Sequence, residues 1–154
     1  MKKAAIAWLT VGERPSYPVW CLWIEGALYL VGGADEQPTP GLDDAGTAHV
    51  SVRGDHGGRI VTWPAAVSRL EPGSEQWTAI VPQLAGKRLN SAGAEDLTAR
   101  WAESSTVWRL VPEGDPAEAG ETLPDGSLAE PPRPTPATTP AHRPFRLHKV
   151  RGAR

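Results

Sequence analysis

The stretch from Pro18 to Gly33 constrains the fold more than any other part of the chain, because it is apolar at almost every position. Two β-prone runs are joined at Glu25-Gly26, which is the pattern of a β-hairpin with a short turn. Successive side chains of a strand point to opposite faces of a sheet, and here both faces are apolar. We therefore predict that the hairpin is covered on both sides, as in a closed barrel or a buried dimer interface.

Further β-prone segments surround this hairpin, and most of the loops between them are too short for the crossovers that parallel strands need. The sheet is therefore predicted to be largely antiparallel. A helical spacing of apolar residues follows Ser74, a candidate N-cap, and a second helix is predicted over residues 94–103. Pro82 is predicted to be a defect in the first helix or its end. The fold class is mainly β (α+β), with predicted strands at residues 4–10, 18–24, 27–31, 48–53, 59–70 and 106–111.

The composition changes abruptly after Pro112. Residues 113–130 carry acidic side chains and no Lys or Arg, whereas residues 131–154 contain six Lys and Arg residues, and prolines recur in both segments. So little apolar material cannot offset the entropy lost when a segment becomes ordered. We therefore predict a folded domain over residues 1–112 and a disordered, proline-rich tail over residues 113–154, whose basic end is a candidate contact for an acidic partner.

Charge and cysteine content argue against several classes of protein. The formal net charge of -2 gives no overall attraction to nucleic acid or to an anionic membrane, so neither is predicted as a partner. The single cysteine, Cys21, cannot form an internal disulfide, and its apolar neighbours predict an inert buried thiol. The four histidines give no zinc-ligand spacing with it, and no metal site is predicted. No apolar run is long enough to span a bilayer and no signal-peptide cleavage site is evident, so a cytoplasmic protein is expected.

Three segments carry a resemblance to a known family: Pro15–Trp20 (PSYPVW), Ala27–Val31 (ALYLV) and Val67–Pro72 (VSRLEP). Their order, followed by a helical pair and a closing strand, resembles the flavin-binding split β-barrel superfamily of pyridoxamine 5'-phosphate oxidase and the actinobacterial deazaflavin-dependent reductases. The resemblance covers roughly residues 4–112. It implies an antiparallel split β-barrel with a short helical pair before the last strand. It also implies a homodimer that binds FMN or a deazaflavin in a groove at the dimer interface.

The resemblance further implies where a cofactor would lie. The ring would lie against the strand that contains Trp20, and the phosphate would be held by the loop that follows Val31, which begins with two glycines. Cations elsewhere in the chain are candidates for a compensating contact to the phosphate. The residues that we predict to contact the cofactor are Trp20, Gly32, Gly33, Gln37, Arg53, Arg59, Lys87 and Arg88. No catalytic residue is identified, because in such proteins the cofactor carries the redox chemistry.

The loop after Val31 departs from the family pattern. The family offers Ser or Thr with Lys or Arg there, which meet a phosphate through charge-assisted hydrogen bonds. This chain offers Asp35 and Glu36, which would repel it. Two functions therefore stay open: an FMN- or deazaflavin-dependent oxidoreductase of unknown substrate, and a cofactor-free split-barrel homodimer that serves as a binding or scaffold module.

Overall fold

A computed structural model describes residues 4–33, 35–53, 60–88, 94–120 and Leu123 of the 154-residue chain. Within these residues the chain forms seven β-strands, two α-helices and a short 3-10 helix at Leu42–Asp44. The elements are, in chain order, β1 (Ile6–Thr10), β2 (Tyr17–Trp20), β3 (Leu22–Ile24), β4 (Ala27–Gly33), β5 (Thr47–Arg53), β6 (Ile60–Arg69), α1 (Glu75–Lys87), α2 (Ala94–Ser104) and β7 (Ser105–Pro112).

The strands form one antiparallel sheet in the order β2-β1-β5-β6-β7-β4-β3. The two outermost strands of this order, β2 and β3, are consecutive in the chain and are separated only by Cys21. The first and last strands of the sheet are thus two halves of one extended segment, which bends the sheet into a nearly closed barrel. The predicted fold class, a mainly antiparallel barrel with a helical pair before the last strand, is confirmed.

Both faces of β4 are buried, as the hairpin pattern predicts, but by different layers. Leu28 and Leu30 pack inside the barrel, where they join the inward-facing side chains of the other strands. Tyr29 and Val31 point outward and pack with the apolar faces of α1 and α2. The helical pair therefore covers the outer side of β4, and the barrel interior covers the other.

Helix α1 begins after the predicted N-cap, Ser74, and continues past Pro82, where helix propensity alone would end it. The Trp77 N–H donates a hydrogen bond to the Ser74 hydroxyl at 3.1 Å, so Ser74 is the N-cap. Pro82 lies inside the helix, which runs on to Lys87. Val81 and Leu84, on either side of the proline, are fully buried. Their packing stabilises the helix across the missing backbone hydrogen bond.

The ordered chain continues past Pro112, the predicted end of the domain. The Glu113 N–H donates to the carbonyl of Pro64 at 2.8 Å, and the backbones of Thr62 and Glu118 exchange two hydrogen bonds of 2.9 and 3.1 Å. The Thr62 hydroxyl also donates to the Glu118 carboxylate at 2.9 Å. One compact unit therefore extends to Leu123. The rest of the predicted tail, residues 124–154, lies outside the described residues.

The thiol of Cys21 lies at the bend between β2 and β3 and is 1% exposed. Burial raises the pKa of the Cys21 thiol to about 12, although a hydrogen bond with the backbone of Ala7 acts in the opposite direction. Since the thiolate is the reactive form, about one molecule in 10⁴ is reactive at pH 8. We expect no reaction of the native protein with Ellman's reagent and one equivalent after unfolding in guanidinium chloride. A full equivalent released within minutes from native protein would contradict this burial.

Candidate functional site

The end of β2, the loop after β4 and the two helices meet around the side chain of Glu36. The Arg88 guanidinium, just past the end of α1, donates a hydrogen bond to one Glu36 oxygen at 2.7 Å. The indole N–H of Trp101, on α2, donates to the other oxygen at 2.9 Å. The Arg88 guanidinium carbon also lies 5.6 Å from the ring centroid of Trp20, within the range of a cation–π contact. We call these four residues the Glu36 cluster.

The Glu36 cluster is largely removed from water. The Glu36 side chain is 10% exposed and that of Arg88 is 31% exposed, while Trp101 is 1% exposed. Removing a carboxylate from water is unfavourable by several kcal/mol unless its oxygens find strong partners. Both oxygens have such partners here, and one of them is a short charge-assisted bond. The acidic loop is therefore folded around an internally neutralised ion pair.

The side chain of Gln37 fills the gap at which the barrel splits. The pairing of Leu22 with Tyr29 would, if continued by two residues, bring Trp20 opposite Val31. The Gln37 amide lies between them instead. It accepts a 2.6 Å hydrogen bond from the Trp20 N–H and donates to the carbonyls of Trp20 and Val31 at 2.9 and 3.0 Å. This amide takes the place of the missing backbone pairing between β2 and β4.

The two glycines after Val31 allow the loop to fold back against β4. The Gly33 N–H donates to the carbonyl of Gln37 at 3.4 Å, and the Glu36 N–H donates to the carbonyl of Gly33 at 3.2 Å. A Cβ atom added at Gly32 would lie 2.5 Å from the hydroxyl oxygen of Thr39. A side chain at this position would therefore push the loop away from the strand.

Some of the predicted cofactor contacts come together in the structure and others do not. Trp20 and Arg88 belong to the Glu36 cluster, and Gly32, Gly33 and Gln37 form the loop beside it. Arg53 is exposed at the far end of β5, where it pairs with Ile60. Lys87 is exposed and lines a different groove, between β3 and α1. Arg59 lies outside the described residues.

Sequence reasoning missed the two partners that define the cluster. The sequence predicts Glu36 to be a loop acid that repels a phosphate, and it does not single out Trp101. They are 65 residues apart in the chain, and Glu36 and Arg88 are 52 residues apart. No spacing pattern connects residues so distant in sequence. The only available signal was the coincidence of an acidic loop and a basic helix end in one fold.

A second surface is formed by the outer face of β1, β2, β5 and β6. In the part of the chain that the structure describes, the large apolar side chains with the greatest exposure are Ile6, Trp8 and Ile60, at 49%, 41% and 37%. Ile6 lies opposite Trp20 in the β1–β2 ladder. Trp8 lies two residues further along the same side of β1, and Ile60 pairs with Arg53. We call this surface the apolar face.

Among the described residues, no three His, Cys, Asp or Glu side chains are grouped in a way that could hold a metal ion. None of the helices in those ranges combines the length and the apolar character needed to cross a membrane.

Comparison with known proteins identifies the fold. No family model and no curated protein matches the chain. Among solved structures, the heme storage protein HutZ from Vibrio cholerae is 15% identical with a TM-score of 0.57, over 77% of this chain and 88% of that one. The conserved hypothetical protein Rv2991 from Mycobacterium tuberculosis is 15% identical with a TM-score of 0.55, over 84% and 87%. A Listeria innocua protein named for pyridoxamine 5'-phosphate oxidase is 15% identical, with a TM-score of 0.49 over 73% and 88%.

At these identities the likeness concerns the fold. The antiparallel sheet that nearly closes on itself, together with the likeness to HutZ and Rv2991, identifies the fold as a split β-barrel. The fold that the resemblance in the sequence implies is therefore confirmed.

Proposed function

We propose that the chain is a split-barrel homodimer that acts as a binding module and does not hold a flavin through its phosphate. The observation that carries this proposal is the pairing of Glu36 with Arg88. A bound phosphate needs cations or N–H donors directed at its oxygens. In this loop the Arg88 guanidinium is directed at the Glu36 carboxylate, 2.7 Å away. An entering phosphate would meet that carboxylate at close range.

Exchanging Glu36 for a phosphate would be unfavourable. The carboxylate is nine-tenths buried and both of its oxygens are hydrogen-bonded. A phosphate that took Arg88 would leave the buried Glu36 carboxylate without its cation, and losing one partner of a buried ion pair typically costs about 3–5 kcal/mol. The residues of this loop therefore do not fit a phosphate as they stand, and no reaction step through a flavin is derived for this chain.

Homodimerisation is supported by the apolar face. Ile6 and Trp8 lie on one side of β1, Ile60 lies on the same side of β6, and each is more than a third exposed; Arg53 of the intervening strand β5 pairs with Ile60. Ile6 also lies opposite Trp20, and exposed apolar side chains grouped in this way mark an interaction site more often than a solvated surface. A two-fold axis would bring this face against its own copy, which buries the same side chains twice.

A second candidate function is an FMN- or deazaflavin-dependent oxidoreductase. It is favoured by the position of Arg88 above the ring of Trp20 and by its 31% exposure, because an anion can approach the guanidinium from solvent. In this function a flavin would supply the redox chemistry. The chain would supply an aromatic surface at Trp20 and a cation at Arg88.

Two ligands that share a ring but differ in a phosphate separate these functions. We expect FMN, followed by flavin fluorescence and by quenching of tryptophan emission, not to bind the wild-type protein at concentrations up to about 1 mM, since Glu36 repels the phosphate, and riboflavin to bind no more weakly than FMN. The purified protein should also be colourless. Saturable binding of FMN at micromolar concentrations, with riboflavin at least about tenfold weaker, would contradict the proposal and establish a phosphate site.

The variant Glu36→Gln is the matched test of the cause. Glutamine keeps the length of the side chain but carries no negative charge, and its one amide oxygen takes the place of only one of the two Glu36 oxygens that accept from Trp101 and Arg88. If Glu36 stands in the way of a phosphate, Glu36→Gln should gain affinity for FMN relative to riboflavin. An equally weak response to both ligands in Glu36→Gln would show that the charge of Glu36 is not what excludes the phosphate.

A further inference from the structure

A groove of about 720 Å³ runs between the β3–β4 hairpin and the last turns of α1. Its volume lies within the range of pockets that hold small molecules. One wall is formed by β3, where Leu22 and Ile24 lie on the helix side of the sheet and Trp23 packs toward the barrel core. The ring of Trp23 is held edge-on against that of Trp63, with centroids 6.2 Å apart. This wall is thus anchored in the barrel core, while part of its apolar surface remains open to the groove.

The groove is deeper on the α1 side because Gly86 has no side chain. Glycine within a helix is less favourable than alanine by about 1 kcal/mol, yet Gly86 stands one residue from the end of α1 and lines the groove. A Cβ atom built at Gly86 has no other atom within 4 Å. The absent side chain therefore leaves open space that a larger residue would fill without a collision.

The polar groups of the groove come from both of its sides. Lys87 and Gln83 belong to α1, and Glu25 belongs to the hairpin turn. Among the described residues Lys87 has no hydrogen-bond or ion-pair partner. The Gln83 amide nitrogen donates to the carbonyl of Ala79 at 2.9 Å, which leaves its amide oxygen and second N–H available. The α1 side is therefore cationic and hydrogen-bonding, and the hairpin turn contributes a negative charge.

We propose that this groove binds a small amphipathic anion, with an apolar ring or chain and one carboxylate-type group. The apolar part packs on Leu22 and Ile24, as in most small-molecule sites, where a few polar groups fix the orientation. The anionic group pairs with Lys87 and accepts a hydrogen bond from Gln83. Glu25 repels it from the hairpin end, so the ligand has one orientation. This inference rests on the proposed function, because it specifies the class of ligand that the binding module would take.

The probe for this site is 8-anilinonaphthalene-1-sulfonate, an aromatic anion whose fluorescence rises in apolar surroundings. For a ligand of its size we expect a Kd of about 10–100 μM with the full-length wild-type protein. Gly86→Met fills the groove and should weaken binding at least about tenfold while raising Tm slightly, because glycine leaves a helix. Lys87→Gln should weaken binding about fivefold and Glu25→Gln should strengthen it about twofold, as expected for partly solvated charges.

Gly46→Met is the matched control, since Gly46 also has no atom within 4 Å of an added Cβ and lies away from this groove. It should bind the probe like the wild type. The inference would be overturned if Gly86→Met bound as tightly as the wild type, if Lys87→Gln had no effect, or if Trp8→Ser on the apolar face abolished binding. Each of these results is independent of FMN and riboflavin binding, so a failed groove and a failed proposed function are told apart.

Discussion

Replacing Gln37 with alanine is expected to lower the free energy of unfolding by about 3 kcal/mol. The substitution removes three hydrogen bonds at the barrel split and leaves the N–H and carbonyl of Trp20 and the carbonyl of Val31 without this partner. Each such bond contributes about 1 kcal/mol, and more when a partly buried group is left unsatisfied. Urea unfolding followed by tryptophan fluorescence measures the change, which for a domain of this size corresponds to a fall in Tm of about 10 °C.

Two further substitutions test whether the amide itself is responsible. Gln37→Glu has the same length and can accept from the Trp20 N–H, but it cannot donate to either carbonyl. We expect it to destabilise the fold at least as strongly as alanine does. Gln76→Ala, at an exposed position in the first turn of α1, should stay within about 0.5 kcal/mol of the wild type. A wild-type stability for Gln37→Ala would mean that β2 and β4 do not depend on this amide.

The burial of both faces of β4 could be predicted because strand periodicity is a local property, visible in residues two apart. The identity of each covering layer could not be predicted. The helices that pack on Tyr29 and Val31 begin only at Glu75, and nothing within the hairpin specifies them. The same holds for Pro82, since the packing that carries α1 through it depends on tertiary contacts.

In the candidate site, too, some features could be predicted from the sequence and others could not. Sequence and resemblance together pointed to Trp20, to the loop after Val31 and to Arg88, which the structure brings together; whether they contact a cofactor stays a prediction. The chemistry of the loop depends on two side chains whose role has no local signature. In the sequence Glu36 cannot be told apart from a solvated acid, whereas the fold buries it beside Arg88. Gln37 is predicted to contact a ligand, whereas in the structure its amide binds the backbones of two strands.

Placing a carboxylate on the apolar face is expected to abolish the proposed homodimer. Trp8 is 41% exposed on this face, so Trp8→Glu leaves the barrel core unchanged. In a two-fold interface the substitution occurs twice, and each unpaired charge must be removed from water. We expect the dimer Kd to rise by about 1000-fold or more. Sedimentation velocity at several protein concentrations should show wild-type dimers and Trp8→Glu monomers of unchanged secondary structure.

The control for charge alone is Gln76→Glu, which adds one negative charge at an exposed position on α1 outside the apolar face. It should remain dimeric. A wild-type protein that is monomeric at the highest concentration would refute the homodimer. A Trp8→Glu dimer as tight as the wild type would show that subunits meet on another surface. If both variants dissociate, net charge and not the apolar face governs association. The apolar face is assigned to a subunit interface only if Trp8→Glu is monomeric and Gln76→Glu is dimeric. The position of an added charge affects dimerisation only where the interface buries that position.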